Sequence, residues 1–473
     1  MTAADERPDL SAGTPLLIVF LTVLNTGNVP PVFPLLRILP GSFPCPFTHS
    51  GVANPLQQIL TSAIIGLAIL HVLVDCLLRA APGASRWRRW FPTYGWSMTV
   101  TTILVLLTTV VPQLAHVSIR ARTGNLSYTH DGGCLYMEEA ARFIIEGRDP
   151  YVESYRGTSV AVKFAGDPFW RTQVHEHILD HNPYLPGPIL MTVPAMLVME
   201  RLCGFYDQRL LYIPVLCLTL ILFPLLFARC NRPAALALFA LNPVVSMYLV
   251  QGTMDVLLFA ALTAHLLLVR RGSFTGASLV LGLACVIKQF AWFMVPFHLV
   301  YCASLLAHTR LSWTGEWFRR AVIPLVIVGL CLVMPFLVSA PKSFIEDAVL
   351  FNFGLLGRSY PFGGTPGFGM ANVLLALGVV PDTMHEFPMF LFQIPALVIG
   401  ALCALLLWRR PSVRSLSSGF ALSTLLFLYS SRMFHFSYLG VFTTFLLVAY
   451  LAEESPSRRA RSRSDRYAGF PGA

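Results

Sequence analysis

The chain has 473 residues, of which 55% are hydrophobic and only 12% charged, with a formal net charge of +10. A water-soluble domain carries roughly 25% charged residues, so this composition excludes an ordinary soluble enzyme or binding module. No Cys-x-x-Cys pair, zinc-ligand spacing or RNA-binding aromatic motif accompanies the basic excess. The charge is therefore assigned to membrane topology and anionic lipid, and no nucleic-acid partner is expected.

The N-terminal "MTAADERPDL" is acidic and lacks the basic stretch of a secretory leader, so no cleaved signal peptide is expected. Apolar runs then begin near residues 15, 55, 94, 209, 233, 254, 274, 290, 321, 388, 416 and 436. A helix of about 20 such residues crosses the hydrocarbon core of a bilayer. Two further runs, 184–203 and 368–381, are shorter or interrupted by Pro and Gly. Leaving these two out puts the arginine clusters on one side: Arg86, Arg88 and Arg89; Arg229 and Arg232; Arg270 and Arg271; Arg319 and Arg320; Arg409, Arg410 and Arg414. The basic tail from Arg458 joins them, and the positive-inside rule makes that side the cytoplasm.

The expected fold is an all-α polytopic membrane protein of about twelve transmembrane helices, with both termini inside and juxtamembrane helices on the outer face. Its divisions are N-terminal transmembrane helices over 1–118, a large outer loop over 119–207 and a transmembrane core over 208–340. An outer loop over 341–387, C-terminal transmembrane helices over 388–452 and a basic cytoplasmic tail over 453–473 follow.

The first outer loop contains "THDGGCLYMEEAARFIIEGRDPY", Thr129 to Tyr151, with Asp131, Glu138, Glu139, Glu146 and Asp149 set against two arginines. It reads as a loop, Asp131-Gly132-Gly133, leading into an amphipathic helix whose apolar stripe is Leu135, Tyr136, Ala140, Phe143 and Ile144. Gly147 ends the helix and "RDPY" turns the chain away. Asp131 fits either a helix cap or a reactive carboxylate. Asp255 follows "NPVVSMYLVQGTM" at the outer end of a span, as an interfacial cap or a site group. Lys288, in "GLACVIKQFAWFMV", has no charge within a dozen residues on either side. A lone cation there faces a polar cavity or an anion, or snorkels to the interface. Arg432 and His435 lie in "SSRMFHF" between the last two spans. Together these groups make an outward polar site able to deprotonate a hydroxyl and accommodate an anionic leaving group.

Four passages resemble the GT-C membrane glycosyltransferases, and among them the bacterial polyprenol-phosphate-mannose-dependent mannosyltransferases. They are Asp131 to Tyr151 with its "GRDPY", "HNPYLPGPILM" from His181, "LNPVVSMYLVQGTMDVLLF" from Leu241, and "TGASLVLGLACVIKQFAWFMVPFHLVY" from Thr275. The chain departs from the pattern in two extra spans before Asp131, one extra residue in "QGTMD", and "KQFAW" where a Lys-Pro pair is usual. The resemblance implies a GT-C-like fold and transfer of a monosaccharide, foremost mannose, from a polyprenyl-phosphate donor to a hydroxyl acceptor on a glycolipid, polysaccharide or protein. Transfer would occur with inversion, on the outer face of the plasma membrane, in the cell envelope of a bacterium.

On this reading Asp131 is the catalytic base, and Lys288, Arg432 and His435 bind the donor phosphate, His435 titrating near neutrality. Glu138, Tyr151, His181, Tyr184, Gln251, Asp255 and Arg358 bind substrate. No cofactor and no metal are expected; the partners are the lipid-linked donor, the glycan or glycolipid acceptor and membrane lipid. The absence of a Gly-rich nucleotide loop agrees with a lipid donor. Two rivals stand beside it: a secondary transporter or lipid-linked glycan flippase with Lys288 and Asp255 on its path, and a lipid-linked glycan ligase or polymerase.

Overall fold

The computed structural model describes residues 14–25, 63–64, 66–74, 93–126, 128–166, 176–307, 313–356, 369–383, 385 and 387–452. Among these residues the fold is helical throughout and has no strand, with one isolated antiparallel bridge between Phe227 and Ala452. Among the described residues, five helices are long and apolar enough to cross a membrane: Tyr94–Thr123, Arg209–Leu226, Gln289–Ala307, Trp313–Ser339 and Phe390–Arg409. A bent pair, Arg229–Ala240 and Pro243–Gln251, makes a sixth if counted as one span.

Of the twelve spans expected from hydropathy, five or six meet that length among the described residues, and Phe274–Ile287, Val413–Tyr429 and Ser437–Leu451 are shorter apolar helices beside them. Apolar runs are cut where the backbone must leave the helix. At Asn242-Pro243 the chain bends by 56°. Pro243 has no N–H to donate, and Asn242 is extended and caps the next turn through Val244 N at 3.1 Å. At Lys288 the backbone is again extended, so Phe274–Ile287 stops after 14 residues. The run at 184–203 forms a helix, Pro186–Cys203, and the described part of 368–381 contains the short helix Met370–Ala376.

The helices share a polarity. Asp255–Arg270 climbs about 24 Å at 1.5 Å per residue and Phe274–Ile287 returns, so Asp255 and Lys288 lie at one end and Arg270 and Arg271 at the other. At the arginine end, Arg414 Nε donates to Ala452 O at 2.8 Å and Ser304 Oγ to Trp408 O at 2.7 Å. Ser278 Oγ reaches Arg320 O there at 3.2 Å. Arg86, Arg88, Arg89 and the tail arginines lie outside the described residues. Phe390–Arg409 and Trp313–Ser339 expose long apolar faces, including Leu397, Leu405, Leu330 and Val338. Such faces are unfavourable against water and suit lipid.

Candidate active site

The Tyr94–Thr123 helix ends in a short turn, and His130 begins the next element. Its backbone is extended, its N–H donates to Gln251 O at 2.9 Å, and its Nδ1 accepts from Gly133 N at 2.9 Å. His130 is therefore the helix cap. Asp131 is the first residue of the helical turn behind it, so the capping role considered for Asp131 does not apply. That first turn is wide, with Tyr136 N–H returning five residues to Asp131 O, a geometry frequent at functional sites. The helix continues as Tyr136–Ile145. The expected loop over Asp131-Gly132-Gly133 is thus already helical.

The two glycines are required by close approach. A Cβ on Gly132 would lie 1.6 Å from Tyr184 Oη, and one on Gly133 would lie 2.5 Å from Gly252 O. Asp131 is 21% exposed and takes the Gly132 N–H at 2.7 Å. His130 Nδ1 stands 3.4 Å from its Oδ1. Burial holds the His130 ring below the usual histidine range, against the pull of Asp131.

Asp131 opens into a cavity of about 1110 Å³. Tyr184, Gln251, Asp255, Lys288, Arg432 and His435 line the same cavity. The Lys288 ammonium is paired with the Asp255 carboxylate and lies over the rings of Phe290, at 4.6 Å, and Tyr438, at 5.5 Å. Arg432 Nη1 donates to His385 O at 3.0 Å, and its stem packs so closely on Gly354 that a Cβ there would sit 2.7 Å from Cδ. His435 Nε2 lies 3.1 Å from Met433 Sδ. Burial pushes His435 down to about 4, with Asp131 opposing, so it is neutral at pH 7. The expectation that it titrates near neutrality is corrected by that burial. Trp292, Phe293, Phe353, Phe387, Phe390 and Phe427 form an apolar wall to the cavity.

Three residues expected to bind substrate lie elsewhere. Glu138 is 2% exposed, forked by Arg120 at 2.7 and 2.6 Å, and takes Gln208 N–H at 2.8 Å. Tyr151 is buried against Phe336 and Phe344 and donates its Oη to Tyr184 O at 2.8 Å, so it supports the cavity wall without lining it. His181 Nδ1 lies 2.6 Å from Asp347 Oδ1, and Asp347 also takes Asn182 N–H at 2.8 Å. That clasp ties the segment before Tyr184 to the segment after Pro341. Arg358 lies outside the described residues.

His130, Thr253, Asn352 and Tyr438, none of them expected from the sequence, also line the cavity. Of these only His130, next to Asp131, carried a signal. Cys134, Glu138 and Asp207 bring three potential ligand atoms together behind the turn. Both carboxylates are already answered by Arg120 and Arg209, and burial keeps the Cys134 thiol well above its usual pKa. A dication there would meet two guanidinium groups, so the cluster is assigned no metal.

Fold and site define a many-helix protein of membrane type whose cavity combines carboxylates, cations and an apolar wall. Comparison with known families narrows this. Residues 136–304 match the model described as "Alpha-(1->6)-mannopyranosyltransferase, N-terminal domain". The matched stretch includes Tyr184, Gln251, Asp255 and Lys288 and begins five residues after Asp131. The likeness to mannosyltransferases read from the sequence is thus shown on this stretch, and the domain supports a mannosyltransferase. Neither the curated proteins nor the solved structures gave a match.

Proposed function

We propose that the protein is an inverting mannosyltransferase that draws on a polyprenyl-phosphate-mannose donor and glycosylates a hydroxyl of a glycolipid, polysaccharide or protein. The observation that carries this reading is the shared cavity. Asp131 opens into the same space as Lys288 and Arg432, beside an apolar wall suited to a prenyl chain. In the proposed step Asp131 takes the proton of the acceptor hydroxyl while that oxygen bonds to the anomeric carbon. The bond from that carbon to the phosphate oxygen breaks, and polyprenyl phosphate leaves with a second negative charge. Lys288 and Arg432 stabilise that growing charge, and neutral His435 serves as a hydrogen-bonding group. The ammonium has three donors, so its pair with Asp255 leaves others for phosphate. Inversion that forms an alpha bond, the linkage in the matched family's description, requires a beta-linked donor.

The helix polarity supports an outward site. With the arginine end in the cytoplasm by the positive-inside rule, the cavity faces the other side. The test is purified protein in detergent with labelled polyprenyl-phosphate-mannose and a mannoside acceptor. Transfer without any membrane gradient supports the enzyme, and its absence there, with gradient-driven flux in vesicles, supports a transporter.

A further inference from the structure

Behind the turn that carries Asp131 lies a group of charged side chains, none of which lines the cavity. Arg209 and Asp207 are fully buried, Glu138 is 2% exposed and Arg120 10%. Arg209 forks Asp207, Nε to Oδ1 at 2.9 Å and Nη2 to Oδ2 at 2.7 Å. Arg120 bridges its forked Glu138 to Asp207 Oδ2 at 3.1 Å. Two cations meet two anions, so the group is neutral as a whole. Stability alone does not account for it, since well-packed apolar residues of similar volume are often as stabilising as a buried ion network.

What the group does instead is hold main chain. Arg209 Nη1 donates to Tyr128 O at 3.0 Å, and Nη2 to Thr129 Oγ1 at 3.2 Å. Those residues stand three and two positions before Asp131. Tyr212 follows Arg209 on the same helix face, and its Oη donates to Gly133 O at 2.5 Å, two positions after Asp131. The backbone is thereby tied on both sides of the carboxylate.

We infer that Arg209 and Tyr212 are positioning residues for Asp131, fixing from the buried side where its carboxylate stands in the cavity. The inference rests on the reading of Asp131 as the base. A general base works only within hydrogen-bond reach of the proton it takes. Loosening its backbone therefore lowers turnover and leaves donor binding alone.

Tyr212→Phe removes a single hydroxyl, and it is tested in the full-length protein beside Asp131→Asn, with labelled polyprenyl-phosphate-mannose as donor. Turnover should fall about tenfold, short of the roughly 10²-fold that a 1 Å misplacement can cost, with the donor KM unchanged. Amide hydrogen exchange should accelerate over residues 129–134 and nowhere else, at an unchanged melting temperature. Arg209→Lys keeps the charge against Asp207 but loses the fork, and where it folds it should show the same pattern more strongly. Wild-type turnover and exchange in Tyr212→Phe, with Asp131→Asn inactive, overturns the positioning role and leaves the base in place. A raised donor KM at normal turnover in Tyr212→Phe overturns the positioning role too. An active Asp131→Asn overturns both.

Discussion

Lys288 and Asp255 form an ion pair in the cavity wall although 33 residues of chain separate them, with the ammonium resting on the rings of Phe290 and Tyr438. From the sequence, Lys288 is expected at the donor phosphate and Asp255 among the substrate-binding residues, with nothing to pair them. Pairing gives them unequal roles. Lys288→Met should lower turnover by roughly 10²–10³-fold, because a cation at the leaving phosphate acts mostly in the transition state. Asp255→Asn keeps the cation and should stay within about tenfold of wild type. Steady-state kinetics at saturating donor checks this order, and equal losses would mean that the pair serves the fold.

The glycines at 132 and 133 differ in what confronts an added methyl. Gly132 faces the end of the Tyr184 side chain, which can swing aside, whereas Gly133 faces the backbone at Gly252 and Thr253, which cannot. Overpacking typically costs about 1–3 kcal/mol. Gly133→Ala should fall at the top of that range and lower the melting temperature more than Gly132→Ala. Gly132→Ala should instead perturb activity through Tyr184.

His435 ties pH to stability. Its folded pKa of about 4 lies below the ordinary value near 6.5, so the unfolded chain binds more protons between those limits. Its contribution to stability is therefore whole above about pH 6.5 and is lost as pH falls toward 4. The thermal midpoint should drop on acidification through that window, and less steeply in His435→Gln. Slopes that coincide would mean that His435 is charged in the folded protein.

Much of the cavity was legible because a charge in an apolar chain is costly and so stands out. Asp131, Asp255, Lys288 and Arg432 were each noticed for that reason. Glu138 misled by the same logic, since its acidity is visible in the sequence and its partner Arg120, 18 residues earlier, is not. Asp207 and Arg209 carry no signal in the sequence, because their burial goes with long-range contacts such as those of Arg209 with Tyr128 and Thr129. Hydropathy found the apolar runs but not their breaks, because Asn242-Pro243 and Lys288 interrupt a helix through backbone geometry.

Sidedness can be read chemically. In a background without native cysteines, a cysteine at the exposed Asn125 should react with a membrane-impermeant thiol reagent applied from outside. One at the exposed Ser273, beside Arg271, should not. The opposite pattern would turn the cavity inward.

The most direct test is the transfer rate of Asp131→Asn with labelled polyprenyl-phosphate-mannose. The amide keeps the side chain's shape and removes the base, whose contribution is typically about 10²–10⁴-fold. The account predicts a loss of that size with an unchanged donor KM and melting temperature. Transfer within about threefold of wild type would contradict it.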